Sequence, residues 1–204
     1  MTERERVQPV TAALTAVNVI IFLIQFFYGP AARFFYEEGT LVGYAVAEQG
    51  EYWRIVTSMF LHAGTDHIFS NMLILYFVGI EVERRFGHLR MLLLYFASGI
   101  AGNLLSLAAE LRLHEVWRSL GASGAVFGVV AAMAVLAVRN RRYIGRSGMQ
   151  RVLFGIAFSL YSGFRTAGTN NFAHVGGFLT GVALTCLFLL AEDLRRRAAR
   201  SEEL

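Results

Sequence analysis

The 204-residue chain contains no lysine; all 19 of its basic residues are arginine. That absence excludes serine–lysine catalysis, Schiff-base chemistry and lysine ligands together. Cysteine occurs once, as Cys186, so no internal disulfide can form. Aspartate occurs only as Asp66 and Asp193, and proline only as Pro9 and Pro30. Charge is scarce as well, at 17% of residues against about 25% in soluble domains. Apolar residues make up 55% of the chain, which points to a membrane protein with little room for a second domain. The net charge of +4 does not describe a nucleic-acid surface, because the arginines fall at the ends of apolar runs and in a short tail.

Six apolar segments are predicted to span a membrane: residues 10–27, 67–85, 89–109, 123–138, 150–164 and 171–190. Pro9 opens the first, and Gly29-Pro30 closes it. Its mixed-charge lead-in, with no clear cleavage site after it, reads as a retained helix rather than a signal peptide. The fourth and fifth segments are short for a bilayer that needs about 20 residues, so they require burial by neighbours or local thinning. With the N-terminus inside, 14 arginines fall on the inner side and five on the outer, which puts both termini in the cytoplasm. The second, fourth and sixth segments then enter from the outside. His67, Ser123 and His174 each stand at the start of one of them, at one shared depth.

The connection from Ala31 to Asp66 is long for a compact fold. Phe34, Phe35, Tyr36, Tyr44, Tyr52 and Trp53, together with Arg54, suit the headgroup region. The connection is therefore expected to lie partly in the outer leaflet.

Three polar groups at membrane depth call for a reason. Ser123 lies in Gly121-Ala122-Ser123-Gly124, where small neighbours leave the hydroxyl reachable and a helix N-terminus offers free N–H groups to an oxyanion. Gly124 and Gly128 also form a GxxxG packing motif, which is the alternative reading. His174 shares its helix face with Gly177 and Gly181, so that face can press closely against a neighbour. A proton relay or a packing role would also accommodate it. His67 and Asn71, at i and i+4, share a face, and both carry N–H groups able to donate to an oxyanion. A metal site or a helix cap is the alternative there, with Thr65 and Asp66 the better capping residues.

Several partnerships are excluded by position. Glu83 lies 16 residues after His67, about 24 Å lower along a helix, and cannot complete a triad with His174. Cys186 is 12 residues, about 18 Å, below His174. Asp66 and Asp193 fall on opposite sides of the membrane, so no aspartyl dyad forms. His114-Glu115-Val116-Trp117-Arg118 starts like a zinc motif but ends on Arg. A zinc site from His62, His67 and His174 lacks a completing Cys or carboxylate, so no metal is expected. What remains is a Ser–His pair without an acid.

This combination resembles the rhomboid intramembrane serine proteases in their minimal six-span bacterial-type form. The resemblance runs from about Tyr52 to Gly181. It rests on Trp53-Arg54, on His62, His67 and Asn71, and on Gly79, Glu83 and Gly87. It continues through Gly121-Ala122-Ser123-Gly124 and ends on Ala173-His174 with Gly177 and Gly181. It implies one all-α, six-helix rhomboid-like membrane domain over residues 1–204, with a partly embedded first outer loop and short cytoplasmic tails. It further implies Ser123 as nucleophile, His174 as general base, and the Ser123 N–H, His67 and Asn71 as the oxyanion hole. His62 would be supportive, and Trp53, Arg54 and Glu83 structural. The family often has Tyr four residues after the Ser, packed on the catalytic His; here Phe127 keeps the ring and loses the hydroxyl. Inactive relatives usually lose the Ser or the His, or place Pro before the Ser, whereas this chain has Ala122.

The expected function is therefore intramembrane serine endopeptidase, acting on transmembrane protein substrates in the lipid bilayer, without cofactor or nucleic acid. The expected location is the bacterial plasma (inner) membrane. A non-catalytic rhomboid-like client binder and a small proton-coupled transporter are the alternatives. No oligomeric state is assigned.

Overall fold

The computed structural model describes residues 8–139 and 171–202, together with residues 150, 154, 155 and 157. The predicted segment 150–164 lies almost wholly outside the described residues. Five long helices organise the rest. Helix α1 is Pro9–Phe27, and α2 (Gly29–Phe34) begins the long connection that follows it. There follow strand β1 (Leu41–Val42) and the short helices α3 (Gly43–Ala47) and α4 (Arg54–Thr57). Helix α5 is Thr65–Phe86 and α6 is His88–Leu113. Strand β2 (Arg118–Ser119) leads into α7 (Ser123–Arg139), and α8 is Asn171–Glu202.

By length and composition, α1, α6 and α8 can each cross a membrane, while α7 is a shorter apolar helix. The chain is an integral membrane protein, and its described residues are helical apart from connecting segments and one two-residue strand pair. Helix α7 is the most enclosed of the described helices. Eleven of its 17 residues, from Gly124 to Ala137, are buried. It is the centre of the bundle, and α5, α6 and α8 shield it from lipid.

Glycine permits this centre. A Cβ on Gly177 of α8 would run into the Gly124 carbonyl of α7, and one on Gly181 into that of Gly128. On the α6 side, a Cβ on Gly102 would lie 2.5 Å from the Ala173 oxygen. Backbones in contact gain dispersion without a hydrophobic drive, which lipid does not supply.

At the predicted inner end, α1 is capped from another helix. The buried Glu83 carboxylate of α5 accepts the Val10 N–H at 3.0 Å and the Thr11 N–H at 2.7 Å, and lies 2.6 Å from His88 Nδ1. Two of the N–H groups that a helix start leaves without intrahelical partners are thereby satisfied. Helix α8 does not stop near Leu190, where the apolar run ends, but continues to Glu202. Its turn past the apolar run is tied back: Glu192 pairs with Arg85 at 2.6 Å and with Arg90, and Asp193 pairs with Arg139.

At the other end, the connection between α1 and α5 is ordered by Arg54, which is 5% exposed. Its guanidinium donates to the Glu37 carbonyl at 2.7 Å and the Thr40 carbonyl at 3.1 Å, and pairs with Glu51. Neighbouring Trp53 donates its indole N–H to the Glu38 carbonyl at 3.2 Å. The aromatic rings of Phe34, Tyr36, Tyr44, Tyr52 and Trp53 stay exposed. Strand β1 pairs antiparallel with β2, Leu41 opposite Ser119 and Val42 opposite Arg118. The α1–α5 connection is thus hydrogen-bonded to the segment that leads into α7.

Candidate active site

Ser123 is the first residue of α7, and His174 is the fourth of α8. The glycine contacts between these helices set them side by side, and Ser123 Oγ stands 2.9 Å from His174 Nε2. With Nε2 accepting from the hydroxyl, the neutral ring carries its proton on Nδ1. No described side chain hydrogen-bonds Nδ1, so no carboxylate among the described residues orients the ring. The ring packed on it is that of Phe127. Four residues after Ser123 on α7, its ring stacks on the imidazole at 4.3 Å between centroids and 9° between planes. His174 is 9% exposed and Ser123 half-buried, so the pair is sheltered yet reachable.

The chain enters α7 through Gly121, whose φ of +131° favours glycine. Its missing side chain also makes room. A Cβ there would lie 2.7 Å from His67 Cε1, 2.8 Å from His67 Nε2 and 3.8 Å from Asn71 Nδ2. His67 and Asn71 are one helical turn apart on α5, as their spacing predicts, and both face the turn that precedes Ser123. His67 Nδ1 accepts the Ala63 N–H at 3.4 Å. This fixes the tautomer, leaving the N–H on Nε2, the nitrogen beside Gly121. Asn71 Nδ2 is buried and has no hydrogen-bond partner among the described residues. A buried donor without an acceptor is costly, so such a group calls for a reason, and holding a ligand oxygen is one. The N–H groups of the first turn of α7 have no intrahelical partner either. Several donors thus gather at the turn that leads into Ser123.

His62 sits behind His67, with ring centroids 5.1 Å apart at 68°. Burial, and then the neighbouring His67, push its pKa down to about 3, so His62 is neutral. Its backbone N–H donates to Gln25 Oε1 of α1 at 3.4 Å. Trp117, just before β2, stacks on Phe172 at the start of α8 at 12°, which ties the two approaches to the site together.

One local expectation fails. Thr65 and Asp66 do not cap α5: the capping position is Gly64, and no side chain there makes a capping hydrogen bond. Gly64 is fully extended, and Thr65 and Asp66 lie inside the first turn, where the Asp66 charge meets the positive end of the helix dipole. Glu83 is remote from the pair, bound to the N-terminus of α1. Two residues that sequence reasoning passed over also border the site. Ser58 accepts the Gly121 N–H on its carbonyl at 2.9 Å, and Asn103 of α6 holds Ser58. An asparagine inside an apolar run was the available sign.

Comparison with known proteins places these residues in a family. Residues 49–191 match the family model described as a Rhomboid domain. RHOMBOID-like protein 2 of Arabidopsis thaliana is 37% identical over 176 residues, which is 85% of this chain and 54% of that protein. Rhomboid protease GluP of Bacillus subtilis is 37% identical over 147 residues, 70% of this chain and 28% of that protein. The Bacillus subtilis protein YdcA is 31% identical over 193 residues, 94% of each. The chain therefore spans about half the length of the first of these relatives and less of the second.

Proposed function

The chain belongs to the rhomboid family, and on that premise we propose that it is a serine endopeptidase that cleaves transmembrane protein substrates within the bilayer. The observation that carries the reading is the 2.9 Å contact between Ser123 Oγ and His174 Nε2 under the Phe127 ring. A serine hydroxyl is a weak nucleophile until a base takes its proton.

The chemistry runs in two halves. Ser123 Oγ attacks the scissile carbonyl carbon while its proton passes to His174 Nε2. The carbonyl oxygen becomes an oxyanion, held by the Ser123 N–H, His67 Nε2–H and Asn71 Nδ2–H. Collapse breaks the C–N bond, the leaving amine takes the proton from His174, and an ester remains on Ser123. Water then attacks that ester, gives a proton to His174, and releases the carboxyl product as Ser123 regains its proton. Without a third residue, Phe127 stacking does the orienting that an acid does in a triad.

The same reading sets six spans, both termini in the cytoplasm, and the site near the outer face, where water enters. The exposed aromatics of the α1–α5 connection rest in the outer leaflet, and Arg54 and Trp53 shape that connection. The domain runs through the chain as one unit in a plasma membrane.

The test is cleavage of a reconstituted membrane-spanning substrate by the wild type, Ser123→Ala and His174→Ala proteins. Both variants should lose cleavage by at least about 1,000-fold while folding normally. Undiminished cleavage by the Ser123→Ala protein overturns the assignment. Client binding by that variant without cleavage by any of the three proteins leaves a binding protein instead.

A further inference from the structure

Asn103 lies in the middle of α6, 7% exposed, between the buried Ser98 and Ser106 and otherwise among glycine and apolar residues. Its side-chain amide donates both hydrogens into the α1–α5 connection: to the Ile55 carbonyl at 2.7 Å and to Ser58 Oγ at 3.0 Å. A carbonyl can only accept, so the Ile55 contact fixes which end of the amide is nitrogen. Ser58 is 1% exposed, and its own carbonyl accepts the Gly121 N–H at 2.9 Å. Gly121 in turn packs against His67 Nε2, beside Asn71 Nδ2, two residues before Ser123.

We propose that Asn103 is a positioning residue for the reaction: through Ser58 it sets the height of Gly121, and so the distance between the oxyanion donors of α5 and those at the start of α7. The inference rests on the serine-protease reading of the site. Asn103 touches neither substrate nor the reacting atoms. The segment around Ile55 and Ser58 is a helix end and a tight turn, with no strand pairing to fix its distance from α6. Buried amide hydrogen bonds supply that registration. The next residue, Met59, lies against Gly99 one helical turn earlier on α6, so apolar packing presses the turn inward while Asn103 sets where it stops. A shift of about 1 Å at Gly121 would misplace donors that must meet a developing charge, a displacement worth up to about 100-fold in rate.

The experiment uses the full chain in proteoliposomes with a fluorogenic membrane-segment substrate. It compares wild type, Asn103→Leu, Ser58→Ala, the double variant, Asn18→Leu and Ser123→Ala. Asn18 is also a buried asparagine, bonded to Leu14 and Tyr95 on the α1–α6 contact and to none of the relay residues, and serves as the control for general destabilisation. Asn103→Leu should lower kcat roughly 10- to 100-fold with KM unchanged, and should slow labelling of Ser123 by a fluorophosphonate in parallel. Asn18→Leu should lower the melting temperature comparably without that kcat loss. The double variant should be no slower than Asn103→Leu, because both changes break one link. Wild-type kcat in Asn103→Leu, or an equal kcat loss in Asn18→Leu, overturns the proposal. If Asn103→Leu does not fold, Ser58→Ala carries the same expectation at smaller size, and wild-type kcat in it is the contrary result. Cleavage by Ser123→Ala would instead sink the underlying reading, so the two failures are told apart.

Discussion

Gly177 of α8 rests on the carbonyl of Gly124 of α7 with no space for a β carbon between them. Gly124 follows Ser123, and Gly177 is three residues past His174, so this contact sets the separation of the two reactive side chains. Gly177→Ala should push the helices apart, cost about 1–3 kcal/mol of stability, and lower kcat far more than a stability loss alone would. Thermal melts and initial rates on the same preparation check this. Wild-type turnover would show that the separation is held elsewhere.

On the proposed mechanism, the Phe127–His174 stack takes the place of an orienting carboxylate. Aromatic stacking of this kind contributes about 0.5–1.5 kcal/mol, so Phe127→Ala should lower kcat roughly 3- to 10-fold through a looser imidazole. Phe127→Tyr restores the hydroxyl that the family often carries and keeps the ring, so it should stay within about 2-fold of wild type. Steady-state kinetics of the two variants decide the matter.

His62 is held neutral, with its pKa lowered to about 3 by burial and by His67. An unfolded histidine titrates near 6.5, so below that pH the unfolded state binds the proton that the folded state refuses. Stability from this residue is therefore full above about pH 6.5 and is lost as the pH falls toward 3. At pH 5 the loss is about 2 kcal/mol, at 1.36 kcal/mol per pH unit. His62→Gln lacks this term. The wild type's stability advantage over that variant should shrink between pH 7.5 and pH 5 in denaturant titrations. A constant gap would mean that His62 takes its proton in the folded state.

Much of this site was legible in the sequence because short-range geometry produced it. The i, i+4 spacing of His67 and Asn71 put both on one face, and the Gly177 and Gly181 spacing put small residues on the His174 face. Segment limits from apolar runs came close for α1, α5 and α7. Helix α8 outlasts its apolar run, because Glu192 and Asp193 find arginines on three other helices. The Thr65 and Asp66 capping expectation failed because composition ranks cap residues without fixing where the helix starts, and the capping position fell on Gly64. Ser58 and Asn103 were missed for a different reason: they are 45 residues apart, and only the fold brings them together.

The central claim is that Ser123 is a nucleophile activated by His174. It is tested most directly by reacting the purified protein with a fluorophosphonate and locating the adduct by mass spectrometry. We expect a single adduct on Ser123, forming at least about 100-fold more slowly in His174→Ala. No adduct on the folded wild-type protein, or one on another residue with Ser123 unmodified, would contradict the account.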